Sequence, residues 1–215
     1  LFPSSQVNTI KDISFDQCGL NSLIPYVQNP LSQYLRAQSQ FLVFSHLGED
    51  EEVPAIENIK NIQQQKPKTI VAVFPEDESR LNIWIDRLQK ENLAWMKRSS
   101  LESQVPSGTV ILWDVAGELD AAYALARGAF IGSNKSSSKK MENCLRPLQQ
   151  GVTPCINAYM QECSWPAEEI FAQKLLAPVL NSAELENNLL ECLKKAPNRE
   201  KTREKFRNYL ANVQG

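Results

Sequence analysis

The chain has 215 residues, of which 42% are hydrophobic and 22% are charged, the composition of an ordinary globular protein. Its formal net charge of -2 gives no general attraction to nucleic acid, and its apolar runs are too short to span a membrane. The five cysteines are never spaced as Cys-x-x-Cys, which argues against a zinc site or a disulfide framework and favours reduced thiols in the cytoplasm.

Short β-rich runs alternate with helical patterns through the middle of the chain, and this alternation is typical of a parallel sheet with crossover helices. The predicted strands are nearly continuous apolar runs: Phe41–Ser45, Thr69–Phe74, Leu93–Lys97, Thr109–Trp113, Ala129–Gly132 and Pro154–Asn157. The predicted helices between them are Glu51–Gln65, Ser79–Asn92, Leu119–Arg127 and Glu142–Gln150. The sequence therefore predicts an α/β fold, a Rossmann-like parallel sheet with helices on both faces.

The two ends of the chain differ from its middle. Residues 1–40 contain many Pro, Ser, Gln and Asn and are predicted to form a linker with one short helix. Residues 41–180 are predicted to form the Rossmann-like domain, and residues 181–215 to form C-terminal helices. The helical patterns from Pro166 onward are Pro166–Leu175, Ala183–Lys195 and Arg199–Val213.

The last predicted helix combines basic residues with an apolar stripe of Phe206, Tyr209, Leu210 and Val213. The stripe is expected to pack on the protein. Because basic amphipathic helices also bind anionic lipid, peripheral contact with the inner face of a membrane is the alternative.

The turn after the fourth predicted strand contains Gly117 and Glu118, directly before a short helix. Gly128 is predicted to end that helix and Arg127 to lie near its negative end. Glu118 falls at the carboxyl edge of the sheet, where α/β proteins bind ligands, and its carboxylate can accept hydrogen bonds from ribose or sugar hydroxyls. An acidic residue at a helix start is explained equally well by the helix dipole alone.

The turn after the first predicted strand contains Ser45, His46 and Gly48, followed by four acidic residues from Glu49 to Glu52. His46 is the only histidine, and a lone histidine at a strand end is more often a hydrogen-bonded structural residue than a catalytic one. The acidic run suits a helix N-terminus and argues against a phosphate at this turn. No Gly-rich dinucleotide fingerprint, Ser-His-Asp triad, metal site or P-loop is present.

A basic segment follows the fifth predicted strand. It contains Lys135, Lys139, Lys140 and, further on, Arg146. These side chains could hold a nucleotide phosphate or an anionic sugar, but their charge alone favours a solvated surface loop.

Four motifs follow one another along the chain: "NTIKDISFD" (Asn8–Asp16), "SHLGE" (Ser45–Glu49), "GELDAAYALARGAFIGS" (Gly117–Ser133) and "NCLRPLQQG" (Asn143–Gly151). They occur in the order found in the Kdo transferases (3-deoxy-D-manno-octulosonic acid transferases), and the chain resembles the C-terminal half of that family over most of residues 8–210. The first motif resembles the family's interdomain Gly-Asn-x-Lys-x-Asp, and the second resembles its Thr-His-x-Gly-Glu. The third matches its Gly-Glu-Leu block almost position by position, and the fourth has the frame of its Asn-Pro-Leu-Glu-Pro.

The resemblance implies the C-terminal half of a GT-B glycosyltransferase, which binds a nucleotide sugar, CMP-Kdo or similar. It also implies an N-terminal half that binds the lipid A acceptor and supplies the catalytic carboxylate, so no catalytic residue is assigned here and the chain alone is expected to be inactive. The family transfers Kdo with inversion and without a metal, so no cofactor is expected. The substrate-binding residues that it implies or that the basic segment adds are Ser45, His46, Gly48, Gly117, Glu118, Ser133, Lys135, Asn143 and Arg146.

Two departures from the family pattern concern charge. The family's Arg-His-Pro, which is expected to meet the nucleotide phosphate, is replaced by "FPEDE" (Phe74–Glu78), and the Glu of Asn-Pro-Leu-Glu-Pro is replaced by Arg146. Negative charge at a phosphate position disfavours phosphate. Three hypotheses follow: the basic segment and Arg146 bind the phosphate instead, the nucleotide sugar is a different one, or the chain is a non-catalytic GT-B-derived binding or assembly domain.

Overall fold

The computed structural model describes residues 23–132, 140–158 and 168–213, without the side chains of residues 140–143, 168 and 213. Its strands are β1 (Phe41–Leu47), β2 (Ile70–Pro75), β3 (Trp95–Lys97), β4 (Val110–Leu112), β5 (Gly128–Ile131), β6 (Pro154–Asn157) and β7 (Ala177–Val179). Its helices are α1 (Glu52–Gln65), α2 (Leu81–Lys90), α3 (Leu119–Leu125), α4 (Lys140–Gln149), α5 (Glu168–Ala172), α6 (Ser182–Lys194) and α7 (Arg199–Val213). None of these helices is long and apolar enough to cross a membrane.

The seven strands form one sheet in the order β3-β4-β2-β1-β5-β6-β7, and every neighbouring pair is parallel. The chain builds outward from β1 in both directions, since β2 pairs with one side of β1 and β5 with the other. The predicted α/β Rossmann-like sheet is confirmed. In such sheets the crevice for ligands lies at the carboxyl ends of the strands, where the order reverses.

Alternate side chains of β1 enter the cores on the two faces of the sheet. Leu42 and Phe44 pack with α1, α2 and α6, and each is fully buried. Phe41 and Val43 point to the other face, where they pack with Tyr123 of α3 and with the 3-10 segment before β1. Helices therefore cover both faces, as the continuous apolar strands predict.

The C-terminal helices also pack on the sheet. Leu189 of α6 is fully buried in the core beneath α1 and α2. Phe206, Tyr209 and Leu210 of α7 are buried in a third cluster that includes Ile131 at the end of β5. The prediction that the apolar stripe of α7 packs on the protein is confirmed for these three residues, and the side chain of Val213 lies outside the described part of the chain. The predicted division of the chain at residues 40 and 180 stays a prediction.

Several element boundaries differ from the prediction. β1 continues to Leu47, so that His46 belongs to the strand rather than to the following turn. α2 begins at Leu81, after a 3-10 turn. β7 was not predicted, and within the predicted linker the described residues 23–40 contain two 3-10 turns, Tyr26–Gln28 and Pro30–Gln33.

The prediction for the end of α3 is wrong. The helix ends at Leu125, and Gly128 is the first residue of β5. Arg127 donates its side-chain hydrogen bonds to carbonyls elsewhere, whereas Arg199 of α7 binds the carbonyl oxygens of Tyr123 and Ala126 at 3.1 and 2.7 Å. The cation at the negative end of α3 therefore comes from a distant helix.

Candidate functional site

A cavity of about 200 Å³ lies at the carboxyl ends of β1, β2 and β4. It brings together four predicted site residues from three segments of the chain: His46, the Gly117–Glu118 pair and Arg146. A larger groove of about 500 Å³ lies between α1 and α2, on the outer surface and away from the strand ends. We take the smaller cavity as the candidate site because of its position on the sheet.

Glu118 occupies the N-cap position of α3, but its side chain accepts no hydrogen bond from the helix backbone. Both carboxylate oxygens instead accept hydrogen bonds from Arg98, whose Nε and Nη2 lie 2.8 Å from Oε2 and Oε1. The side chain of Glu118 is 18% exposed and that of Arg98 is 11% exposed. Glu118 is thus held by a paired cation rather than used as a cap. Arg98 was not identified from the sequence.

Gly117 precedes this carboxylate with a φ of +85°, in the left-handed region that favours glycine. An added Cβ would meet no atom within 4 Å, so the turn needs glycine for its backbone conformation rather than for space. The conformation lets the chain leave β4 and present Glu118 at the cavity.

His46 lies at an irregular position of β1, where the pairing register with β2 shifts. Its φ of 55° is unusual for a residue with a side chain and is characteristic of strained positions at functional sites. Nδ1 lies 3.1 Å from Oε2 of Glu76, in the acidic segment that replaces the family's Arg-His-Pro. Burial lowers the pKa of His46, the bond and charge of Glu76 oppose that effect, and the charge of Arg146 adds to it.

Two aromatic rings that were not predicted as site residues line the cavity. Phe74 lies near the end of β2, and Trp113 directly follows β4, the neighbour of β2 in the sheet. Their rings stack with centroids 4.4 Å apart. Within the described part of the chain, Nε1 of Trp113 and Nε2 of His46 are buried without a hydrogen-bond partner. Buried polar atoms are rarely left unpaired, and a bound ligand is one way to satisfy them.

Arg146 reaches the cavity from α4, where its Nε donates to Oδ1 of Asp120 at 2.9 Å. Glu78 lines the same cavity and Glu76 lies beside His46. The cationic groups of the described site, Arg98 and Arg146, are therefore each paired with a carboxylate.

The remaining predicted residues lie elsewhere. Ser45 is fully buried and its hydroxyl is 2.7 Å from that of Tyr123. Gly48 begins the 3-10 turn before α1, where its N–H donates to Glu51 at 3.0 Å. Ser133 and Lys135, with Lys139, fall outside the described residues, as does the side chain of Asn143 in α4.

The acidic run at the start of α1 contains a buried ion-pair cluster. Glu52 is 1% exposed, and its carboxylate binds Arg80, at 2.6 and 2.9 Å, and Arg87. The run is therefore tied to α2 as well as placed at a helix start. In the described part of the chain, no group of three or more His, Cys, Asp and Glu side chains is arranged to hold a metal ion.

The resemblance seen in the sequence is supported by known proteins. Over 134 residues the chain is 25% identical to the 3-deoxy-D-manno-octulosonic acid transferase of Haemophilus influenzae. Its fold matches the crystal structure of the C-terminal CMP-Kdo binding domain of WaaA from Acinetobacter baumannii with a TM-score of 0.70 and 20% identity, covering 93% of this chain and 99% of that domain. The chain resembles the C-terminal domain of Kdo transferases.

The match to the Haemophilus Kdo transferase covers 62% of this chain and 31% of that protein's length. An α-glucosyltransferase solved with UDP and DNA has a similar fold, with a TM-score of 0.52 and 10% identity over 85% of this chain and 54% of that protein. No protein-family model matches the chain. The match to the WaaA domain confirms the predicted fold, which is that of the C-terminal domain of a Kdo transferase.

Proposed function

We propose that the chain is the nucleotide-sugar-binding domain of a Kdo-transferase-like glycosyltransferase, with CMP-Kdo or a similar donor. The observation that carries the proposal is the Gly117–Glu118 turn. It belongs to the motif shared with the Kdo transferases, and its carboxylate lines the cavity at the sheet edge instead of capping α3. The fold match to a domain that binds CMP-Kdo supports the same donor class.

Each side of the cavity has a proposed role. The Phe74–Trp113 stack offers an apolar aromatic wall for a base, and Glu118 offers acceptors for ribose hydroxyls. Arg146 contacts the phosphate, together with Lys135 or Lys139. Such a domain contributes to transfer by orienting the donor and stabilising the departing phosphate charge. A lipid A-type acceptor and a catalytic carboxylate belong, in this proposal, to a separate N-terminal half.

We place the proposed enzyme in the cytoplasm at the inner face of the membrane, in lipopolysaccharide biosynthesis. The basis is the donor class, since a nucleotide sugar and an acceptor in lipid meet at that surface.

The test is calorimetric titration of the chain with CMP, UDP and GDP. We expect saturable binding of CMP and weaker binding of the other two. Glu118→Gln keeps the size of the side chain but removes its charge, and should weaken CMP binding about tenfold, which corresponds to about 1.4 kcal/mol. Glu57→Gln is the matched control, because Glu57 is an exposed glutamate of α1 that lines the separate α1–α2 groove.

A second candidate function is a non-catalytic binding or assembly domain derived from the GT-B fold. The specific observation in its favour is the charge of the cavity, where Glu76 and Glu78 stand at the proposed phosphate edge and Arg146 is already paired with Asp120. Absence of saturable binding for all three nucleotides would favour this function. Preference for UDP or GDP over CMP would indicate a GT-B enzyme with a different donor.

A further inference from the structure

Arg98 is the residue that determines the direction of the Glu118 carboxylate. Its two donors bind the two oxygens in the parallel, bidentate geometry of guanidinium and carboxylate. This geometry fixes both the position and the rotation of the carboxylate. A lysine at the same place would supply charge without that planar fork.

The guanidinium itself lies against two aromatic rings. Its central carbon lies 4.5 Å from the ring centroid of Tyr34 and 5.8 Å from that of Trp113. Tyr34 is fixed in turn, because its carbonyl accepts the N–H of Val105 at 2.9 Å. Stacking on aromatic faces lowers the cost of keeping a 9% exposed arginine charged.

The turn that carries Arg98 is anchored to the end of β4. Ser99 donates its backbone N–H and its hydroxyl to the two oxygens of Asp114, at 2.8 and 2.6 Å. Arg98 and Glu118 thus follow two adjacent parallel strands, β3 and β4, and the anchor keeps their separation constant.

The ion pair with Arg98 leaves the Glu118 carboxylate able to accept further hydrogen bonds. A carboxylate has about four lone-pair positions, and the bidentate pair with Arg98 uses two of them. The other two remain for a ligand in the cavity that Glu118 lines. Those two positions point away from each other, so a ribose in the cavity can donate one of its hydroxyls to Glu118.

We infer that Arg98 is a positioning residue that gives the site its selectivity for a ribose hydroxyl, by holding Glu118 in the orientation that accepts it. The inference rests on the proposed function, since it requires a nucleotide in the cavity.

The experiment compares CMP with 2′,3′-dideoxy-CMP in calorimetric titrations of the whole chain. The wild-type chain should prefer CMP by about tenfold or more, because a site built to bind a hydroxyl discriminates against an analogue that lacks it. Arg98→Lys and Arg98→Gln should reduce the preference to about twofold, because the carboxylate is no longer fixed. Arg36→Lys, at an exposed arginine that binds Gln104, is the control and should keep the wild-type preference.

The outcomes separate the inference from the proposed function. If the wild-type chain binds CMP and a folded Arg98→Lys variant keeps the full preference, the positioning role is refuted while the donor site stands. A wild-type chain that binds CMP and 2′,3′-dideoxy-CMP equally well would also refute the positioning role while the donor site stands. If the wild type binds no nucleotide, both fail together. If both Arg98 variants unfold, Ser99→Ala replaces them: it loosens the anchor and should lower the preference severalfold, and an unchanged preference would overturn the inference.

Discussion

Replacing Arg199 by methionine tests how α7 is attached to the rest of the protein. The guanidinium donates to the carbonyls of Tyr123, Gln150 and Ala126 at 3.1, 2.6 and 2.7 Å, and none of these partners is a carboxylate. Burial lowers the pKa of Arg199 to about 10, which reflects the cost of desolvating its charge. Methionine retains most of the apolar stem of the arginine side chain and removes all three hydrogen bonds.

The expected size of the effect follows from two opposing contributions. A hydrogen bond from a charged donor contributes about 1.5–3 kcal/mol, so three bonds together would exceed about 4 kcal/mol. Relief of the buried charge offsets part of this loss. We expect the Arg199→Met variant to lose about 2–3 kcal/mol of unfolding free energy, and for a chain of this size its thermal midpoint should fall by about 5–10 °C.

Urea and thermal unfolding followed by circular dichroism measure this change. Arg207→Met is the matched control, since Arg207 is an exposed residue of the same helix and its replacement should change stability by less than about 0.5 kcal/mol. An Arg199→Met variant as stable as the wild type would show that α7 is held by its apolar stripe alone.

Three other predictions concern the site and its support. The pKa of His46, followed by NMR, should lie below 6.5 and should fall further in Glu76→Gln. Because the pKa of His46 is lower in the folded chain than in the unfolded chain, the unfolded chain binds the proton at higher pH, and the free energy of unfolding should decrease as the pH falls below about 6.5. A pKa of His46 above 6.5 would contradict this. Glu52→Gln leaves two arginines without their buried carboxylate and should cost about 3–5 kcal/mol in urea unfolding, against no measurable loss if the cluster is inessential. Gly132→Ala places a Cβ 2.5 Å from the carbonyl oxygen of His46 and should lower stability by about 1–3 kcal/mol, whereas an unchanged melting temperature would mean that the β5 end has room to move.

The sheet was predictable because each of its longer strands is recognisable from the residues of one short run. Runs such as Phe41–Ser45 and Thr69–Phe74 are apolar on both faces, and helical patterns separate them, so the parallel order follows from general rules. β7 was not predictable in this way. It has only three residues, and its central Pro178 is a residue that sequence patterns assign to loops.

The site was only partly predictable, for a different reason. The Gly117–Glu118 turn has a local motif and a place at a strand end. Arg98, which holds Glu118, is 20 positions away, and no spacing rule links the two. The Phe74–Trp113 stack depends on β2 and β4 being neighbours although β3 lies between them in the sequence. The strand order, once assumed, would have indicated that pair.

Both edges of the sheet are three-residue strands, β3 and β7. Pro178 in the middle of β7 has no N–H to donate, and β3 ends at Lys97, whose charge opposes the approach of another strand. A strand from a second molecule would gain few backbone hydrogen bonds at either edge. Edge-to-edge aggregation of the folded protein through these two strands is thereby disfavoured.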